Sequence, residues 1–352
     1  MAPMLKDNVQ EPGMLFAPYQ RVLCERLLSL LGTLRPLTRV DALVALQQKG
    51  KLLASQISYF QSSSVPDGSW SLAVLLIALY ISPAIDLHIA TTVAVALECY
   101  ICAFDLLDDV EDEDQTAVVL ALGIPRVLNV STVLLTLSQH ALLSLSRYDD
   151  VSSSLILQLL AAFQDAALTA TSGQHKDLLA EQRPALDMAT EECIAICTEK
   201  AGALLRLACN VGAVCAGAEK EECAQFSALG EFLGIAHQLD NDSHDLYYIL
   251  QREPSQLCIE TQPNLKSVKT DLTRQKKTLP VVLAARSHSA LQKQPPLSDS
   301  ERREAIYDSL HEGIIATWGI SLLYKERAGE CLQEIEARRP ISHLLRLLLD
   351  FN

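Results

Sequence analysis

Apolar residues recur at spacings of three and four along nearly the whole chain, and no stretch sustains period-two alternation. A backbone that buries one stripe every 3.6 residues folds as helices, because a half-buried strand needs every second residue apolar. The helical stretches read as residues 21–34, 40–61, 71–81, 88–107, 131–145, 154–171, 190–218, 220–250, 280–288, 300–310 and 314–336. Gly and Pro, which punctuate such patterns, number only 14 each in 352 residues, so long helices are expected rather than a sandwich or barrel. Breaks fall at 62–68, 123–125, 148–153, 183–184, 253–269 and 294–300, where Pro, Gly and small polar residues gather. None is long or biased enough for a linker, and no internal repeat is present, so one all-α domain over residues 1–352 is expected. Stretches 88–107 and 154–171 are apolar nearly all round, as helices at the centre of a large bundle are.

Composition narrows the function. Hydrophobic residues make up 49% of the chain, which excludes global disorder. Forty-three acids against 29 bases give a formal charge of −14, opposite in sign to an unaided nucleic-acid binder, so no nucleic-acid partner is expected. Residues 1–17 lack the apolar core of a secretory signal, and the longest uninterrupted apolar run, Leu72 to Ile81, is too short to span a bilayer. No transmembrane segment is therefore expected. Of ten cysteines, Cys99, Cys102, Cys193, Cys197, Cys209 and Cys215 lie in apolar helical stretches. Cys99 and Cys102 have no second pair at zinc spacing, so the cysteines read as reduced packing residues and the compartment as cytoplasmic.

Two acidic clusters carry the chemistry. From Asp105 to Asp114, seven of ten residues are acidic: Asp105, Asp108, Asp109, Glu111, Asp112, Glu113 and Asp114. A solvated loop is the plain reading of such a run. Here, however, it directly continues the apolar stretch 88–107, so the acids sit at a helix C-terminus, where the macrodipole disfavours them. No Lys or Arg interrupts the run. Asp108 and Asp112 are one turn apart on one face with Asp109 beside them, and carboxylates converging next to apolar surface need a counter-ion such as Mg²⁺. In the second cluster, Gln238, Asn241, Asp242 and Asp245 share one third of a helix circumference, and Asp240 points to the other side. Two such helices across a bundle would make a cage for several Mg²⁺ ions.

These residues resemble a known family. Residues 98–114, ECYICAFDLLDDVEDED, look like the first aspartate-rich region of trans-isoprenyl diphosphate synthases, with Glu98 ten positions ahead of the DDxxD of Asp108, Asp109 and Asp112. GIAHQLDNDSHD resembles the family's GxxxQxxDDxxD, with Asn241 replacing one Asp. Gly173, Gln174, Asp177 and Leu178 resemble GQxxDL, and Lys200 falls where a KT pair begins. Lys276, Lys277, Thr278, Leu279 and Pro280 resemble GKxTLP, with Gln275 in place of Gly. The resemblance implies an all-α isoprenoid synthase bundle, a homodimer, in which Asp108, Asp109, Asp112, Asn241, Asp242 and Asp245 hold three Mg²⁺ ions against an allylic diphosphate. Lys200, Lys276, Gln174 and Gln238 would contact the diphosphate or its metals, and Asp108, Asp109, Lys200 and Lys276 would be catalytic. Tyr100, Ala103 and Phe104 would line the cavity and limit prenyl length. Surface solvation is the plainer account of each lysine, though Lys200 interrupts an apolar helix.

The departures matter as much. Chain-elongating members of the family bind isopentenyl diphosphate through a GKRxRP-like segment and an Arg pair after the first aspartates. Here residues 66–71 read PDGSWS, and no Lys or Arg follows Asp114 until Arg126. A second diphosphate would meet no evident positive charge unless Arg21, Arg35 or Arg39 folds into the pocket. The expected activity is therefore Mg²⁺-dependent ionisation of an allylic isoprenyl diphosphate and prenyl transfer to a non-diphosphate acceptor, an indole or tryptophan-like aromatic. Bacterial enzymes that prenylate a tryptophan in pheromone peptides are similar in lacking the elongation features. The alternatives are a terpene cyclase derived from this fold, although Glu is missing eight residues after Asn241, and ordinary chain elongation or a silent subunit.

Overall fold

The computed structural model describes residues 12–50, 52–53, 70–251, 276–291 and 299–349, and among these the chain is all-helical with no strand. The order is α1 (Pro12–Leu31), α2 (Pro36–Gln48), α3 (Trp70–Ile81), α4 (Leu87–Glu111), α5 (Ala117–Leu122), α6 (Ile124–Ser144) and α7 (Ser153–Ala180). Then α8 (Thr190–Cys197) passes through a π-helical turn (Thr198–Gly202) into α9 (Ala203–Cys215). Helices α10 (Lys220–Leu250), α11 (Leu279–Leu291), α12 (Asp299–Arg338) and α13 (His343–Leu349) follow.

Local chemistry sets the starts. The Asp86 carboxylate accepts from the His88 amide at 2.8 Å to open α4, and the Ser152 hydroxyl accepts from the Leu155 amide at 3.1 Å to open α7. Helices α2 and α6 begin with Pro in the first turn, where the missing N–H costs nothing. Gly123, at φ 75°, makes the reversal between α5 and α6 that a side chain would strain. Packing does the rest. Helix α3 is buried almost all round, and α4 packs between it, α6 and α9. Helix α10 runs between α9 and α12, and α11 lies along α12. A second apolar cluster, which includes Met188, Ile196, Leu239 and Val282, ties α8, α10 and α11 together.

Helices this close need glycine at the contact. A Cβ on Gly230 would lie 2.3 Å from the Leu205 carbonyl oxygen, and one on Gly313 would lie 2.2 Å from that of Pro280, whereas Gly319 has nothing within 4 Å. Gly230→Ala should therefore destabilise by about 2 kcal/mol through overpacking. Gly319→Ala should stabilise by about 0.5–1 kcal/mol through helix propensity. Urea melts of the two variants check this, and equal midpoints would remove the close-packing account.

Several boundaries differ from the sequence reading, each for a physical reason. The helix expected at 40–61 begins at Pro36 and is interrupted after Gln48, before Gly50, where a Cβ would sit 2.6 Å from the Leu46 carbonyl oxygen; residues 52–53 are helical, and 51 and 54–61 lie outside the described residues. The stretches 300–310 and 314–336 are one helix, because Gly313 serves the contact with Pro280 instead of breaking α12. Helix α1 starts at Pro12 and carries Pro18 inside it. The stretch 190–218 is interrupted by the π-helical turn. The expected breaks at 253–269 and 62–68 lie outside the described residues, as does most of the one at 294–300.

The membrane expectation rested on uninterrupted apolar runs alone. By length and composition alone, three helices, Leu87–Glu111, Ile124–Arg147 and Ser153–Ala180, are long and apolar enough to cross a bilayer. The run-based reading missed them because scattered polar residues interrupt apolar runs without lowering mean hydropathy enough. The most apolar window of the first is 78% buried inside the protein, and those of the other two are 44% and 28% buried. Among the described residues the cysteines are mostly buried, and burial pushes the Cys209 and Cys215 thiols up to about 12.

Candidate active site

Helix α4 is buried over most of its length, and its last turns line a cavity of about 470 Å³ with Asp105, Asp108, Asp109, Glu111 and Asp112. Helix α10 lines the same cavity with His237, Gln238, Asn241, Asp242 and Asp245. The two acidic clusters thus share one space. Asp240 points away, as helical spacing requires, and pairs with Lys325 at 2.9 Å.

Two lysines from distant segments enter between the acids. The π-helical turn carries Lys200, whose Nζ donates to Asp177 of α7 at 2.8 Å and lies 3.2 Å from Asp108. Burial alone would lower its pKa, but Asp108, Asp177 and Asp112 together hold the ammonium well above the usual lysine range. Lys276, just before α11, pairs with Asp112, both side chains being nearly buried. Burial pushes the Asp112 carboxyl up to about 6, Asp108 adds to the rise, and Lys276 and Lys200 oppose it. Lys277 also lines the cavity and donates to the Glu181 carbonyl at 3.3 Å.

Asp109 has a different environment from Asp108 and Asp112. Glu113 adopts φ 57°, in the left-handed region that costs a non-glycine residue about 1 kcal/mol or more. That reversal lets Thr116 fold back, so its hydroxyl donates to Asp109 Oδ2 at 2.8 Å, while Lys49 Nζ donates to Oδ1 at 2.7 Å. Both carboxylate oxygens of Asp109 therefore have protein partners.

Gln174 lines the cavity and donates to Asp112 at 3.3 Å, and its own amide oxygen is buried without a hydrogen-bond partner among the described residues. On α10, Gln238 Nε2 donates to Asp242 Oδ1 at 2.8 Å, and Asn241 Nδ2 lies 3.2 Å from His237 Nε2. The inner wall is apolar and includes Ile101, Phe104, Ile196, Leu204 and Leu205. Phe104 is thus on the wall, but Tyr100 and Ala103 are not. Tyr100 lies one turn deeper, covered by Phe104 at a ring distance of 4.9 Å, with its hydroxyl donating to the Phe163 carbonyl at 2.5 Å. Ala103 is turned about 100° from Phe104 and is fully buried.

As they stand, no three His, Cys, Asp or Glu residues among those described are close enough to hold a metal ion. The donor set nevertheless suits a hard divalent cation. The carboxylates of Asp108, Asp112, Asp242 and Asp245 and the amide oxygen of Asn241 line one cavity, and Gln174 adds a buried oxygen with no donor.

Sequence reasoning missed Lys49, Trp70, Thr116 and His237. Trp70 and Lys49 line the cavity, and Thr116 is buried against Asp109. A lysine at a helix C-terminus, such as Lys49, ordinarily reads as dipole compensation, so no local signal marks it. Arg21, Arg35 and Arg39, the bases offered as substitutes for the missing elongation segment, do not line the cavity.

The sequence profile described as polyprenyl synthetase matches residues 70–308, more than half of the chain. The tryptophan prenyltransferase ComQ of Bacillus spizizenii is 33% identical over 156 residues, 44% of this chain and 50% of that protein. A short chain isoprenyl diphosphate synthase of Methanothermobacter thermautotrophicus is 29% identical over 234 residues, 64% of each chain. The matches thus span about half to two thirds of these relatives. The crystal structure of a polyprenyl synthetase from Streptomyces coelicolor A3(2) superposes with a TM-score of 0.68 at 22% identity, covering 95% of this chain and 97% of that one.

Proposed function

Since the chain belongs to the polyprenyl synthetase family, we propose that it is a prenyltransferase that ionises an allylic isoprenyl diphosphate with Mg²⁺ and passes the prenyl group to an acceptor without a diphosphate, an indole or tryptophan-like aromatic. The observation that carries this reading is the meeting of Asp108 and Asp112, the second acidic cluster, Lys200 and Lys276 in one cavity with an apolar inner wall. Asp108, Asp112, Asn241, Asp242 and Asp245 would hold the metal. Bound there, Mg²⁺ supplies Lewis-acid stabilisation of the charge that grows on the departing diphosphate.

The chain's own residues account for the rest. As the carbon–oxygen bond breaks and diphosphate leaves with the electron pair, the Lys200 and Lys276 ammonium groups donate to its oxygens. Ile101, Phe104, Leu204 and Leu205 keep water from the allylic cation. An aromatic carbon of the acceptor then forms the new bond, and its proton passes to the released diphosphate, which restores aromaticity.

Cation supply favours the non-diphosphate acceptor. Among the described residues, the lysines and arginines on the cavity are Lys49, Lys200, Lys276 and Lys277. Lys200 and Lys276 face the acidic clusters, Lys49 already pairs with Asp109, Lys277 donates to the Glu181 carbonyl, and Lys51 is the one other base in the sequence that joins α2 to α3. A second diphosphate needs several charge-assisted bonds, and an uncharged aromatic needs none. The similarity to a tryptophan prenyltransferase supports the same reading.

The test supplies C10, C15 and C20 allylic diphosphates with Mg²⁺, with and without labelled isopentenyl diphosphate or indole, followed by product mass analysis. An indole adduct with no longer labelled diphosphates is expected. Efficient labelled chain growth would replace this reading with elongation, and a hydrocarbon profile unchanged by indole would replace it with cyclisation.

A further inference from the structure

We infer that His237 is the positioning residue of the second acidic cluster, fixing which end of the Asn241 carboxamide is available as a ligand. The inference rests on the metal-binding reading above and concerns how this chain accommodates an amide where the resembling motif has a carboxylate.

A carboxylate presents two equivalent oxygens, so either end can meet a cation. A carboxamide presents one oxygen and one NH₂, and only the oxygen can ligate a hard ion. An unanchored Asn at such a place turns the wrong end inward part of the time. In this chain Asn241 Nδ2 lies 3.2 Å from Nε2 of His237, one turn earlier on α10, and both residues line the cavity. The NH₂ can only donate, so in this contact Nε2 serves as the acceptor. Tethering the nitrogen end of a planar group leaves the oxygen as its free end. One residue along, Gln238 Nε2 donates to Asp242 Oδ1 at 2.8 Å, so two parallel bonds of the same i to i+4 spacing orient adjacent ligands. Partners of this kind orient the groups that bind a metal and tune affinity without touching it.

The experiment measures Mn²⁺ binding by electron paramagnetic resonance in the presence of inorganic pyrophosphate, in wild type, His237→Ala, His237→Gln, Asn241→Asp and the double variant Asn241→Asp/His237→Ala. His237→Ala should weaken Mn²⁺ binding about tenfold or more. His237→Gln keeps an acceptor for the amide and should stay within about threefold of wild type. Against Asn241→Asp, whose oxygens need no orienting, the alanine substitution should cost less than about threefold, the non-additivity that marks a coupled pair. Wild-type affinity in His237→Ala, or an equal loss in both backgrounds, overturns the inference while leaving the metal reading intact. Failure of the wild type to bind Mn²⁺ takes down the metal reading and this inference with it.

Discussion

Alanine at Asp108 is expected to slow Mg²⁺-dependent diphosphate release about 1000-fold, which is the several kcal/mol of Lewis-acid stabilisation taken at about 1.4 kcal/mol per factor of ten. Asp108 is the informative choice because its side chain is 43% exposed, and Lys200 retains Asp177 when it is removed. Asp112 is a poor choice. Its side chain is 3% exposed and paired with Lys276, so Asp112→Ala would break a buried ion pair and confuse misfolding with lost chemistry. Asp242→Ala probes the other helix. Phosphate-coupled assays with geranyl diphosphate, beside far-ultraviolet circular dichroism, make the measurement. Full turnover by either variant, or by wild type in excess chelator, would end the metal reading.

Lys200→Ala should lower diphosphate release about 100-fold, the usual effect of losing one preorganised donor to a developing oxyanion. The lysine is held 2.8 Å from Asp177 and 3.2 Å from Asp108 on a side chain only 13% exposed. Its removal also leaves two carboxylates without their shared cation, so a lower melting temperature is expected, and rates must be compared well below it. Lys276→Ala should behave similarly, whereas alanine at the exposed Lys220 should change neither rate nor melting. Indistinguishable kinetics for the Lys200 and Lys220 variants would return Lys200 to a structural role.

The helices and both acidic clusters were legible because each depends on residues one or two turns apart. Asp108 and Asp112, or Gln238 and Asp242, share a face whatever the rest of the chain does. Lys200 could be singled out because a charge inside an apolar helix is anomalous in itself. Lys49 could not, since its partner Asp109 is 60 positions away and only the packing of α2 on α4 brings them together. Tyr100 and Ala103 were assigned to the cavity wall because helical spacing gives a direction and not a depth, and depth is set by Phe163 arriving from α7. Gly313 illustrates the opposite failure. A residue that disfavours helix in isolation is kept within one because α11 packs against it at backbone distance.

The pairing of Lys200 and Lys276 with cavity acids separates folding from loading. Small domains organised around a bound ion commonly unfold without it, because their ligands have no other way to offset mutual repulsion. In this protein Lys200 lies between Asp108 and Asp177, and Lys276 meets Asp112, so the charges most deeply set in the cavity are matched within the chain itself. The helices that bear them need no bound ion to assemble, and on the proposed function the same ammonium groups would turn to the diphosphate when it binds. On the proposed function, these built-in counter-ions would support the fold before substrate arrives and clamp the diphosphate afterwards, giving two lysines two successive partners in a single position.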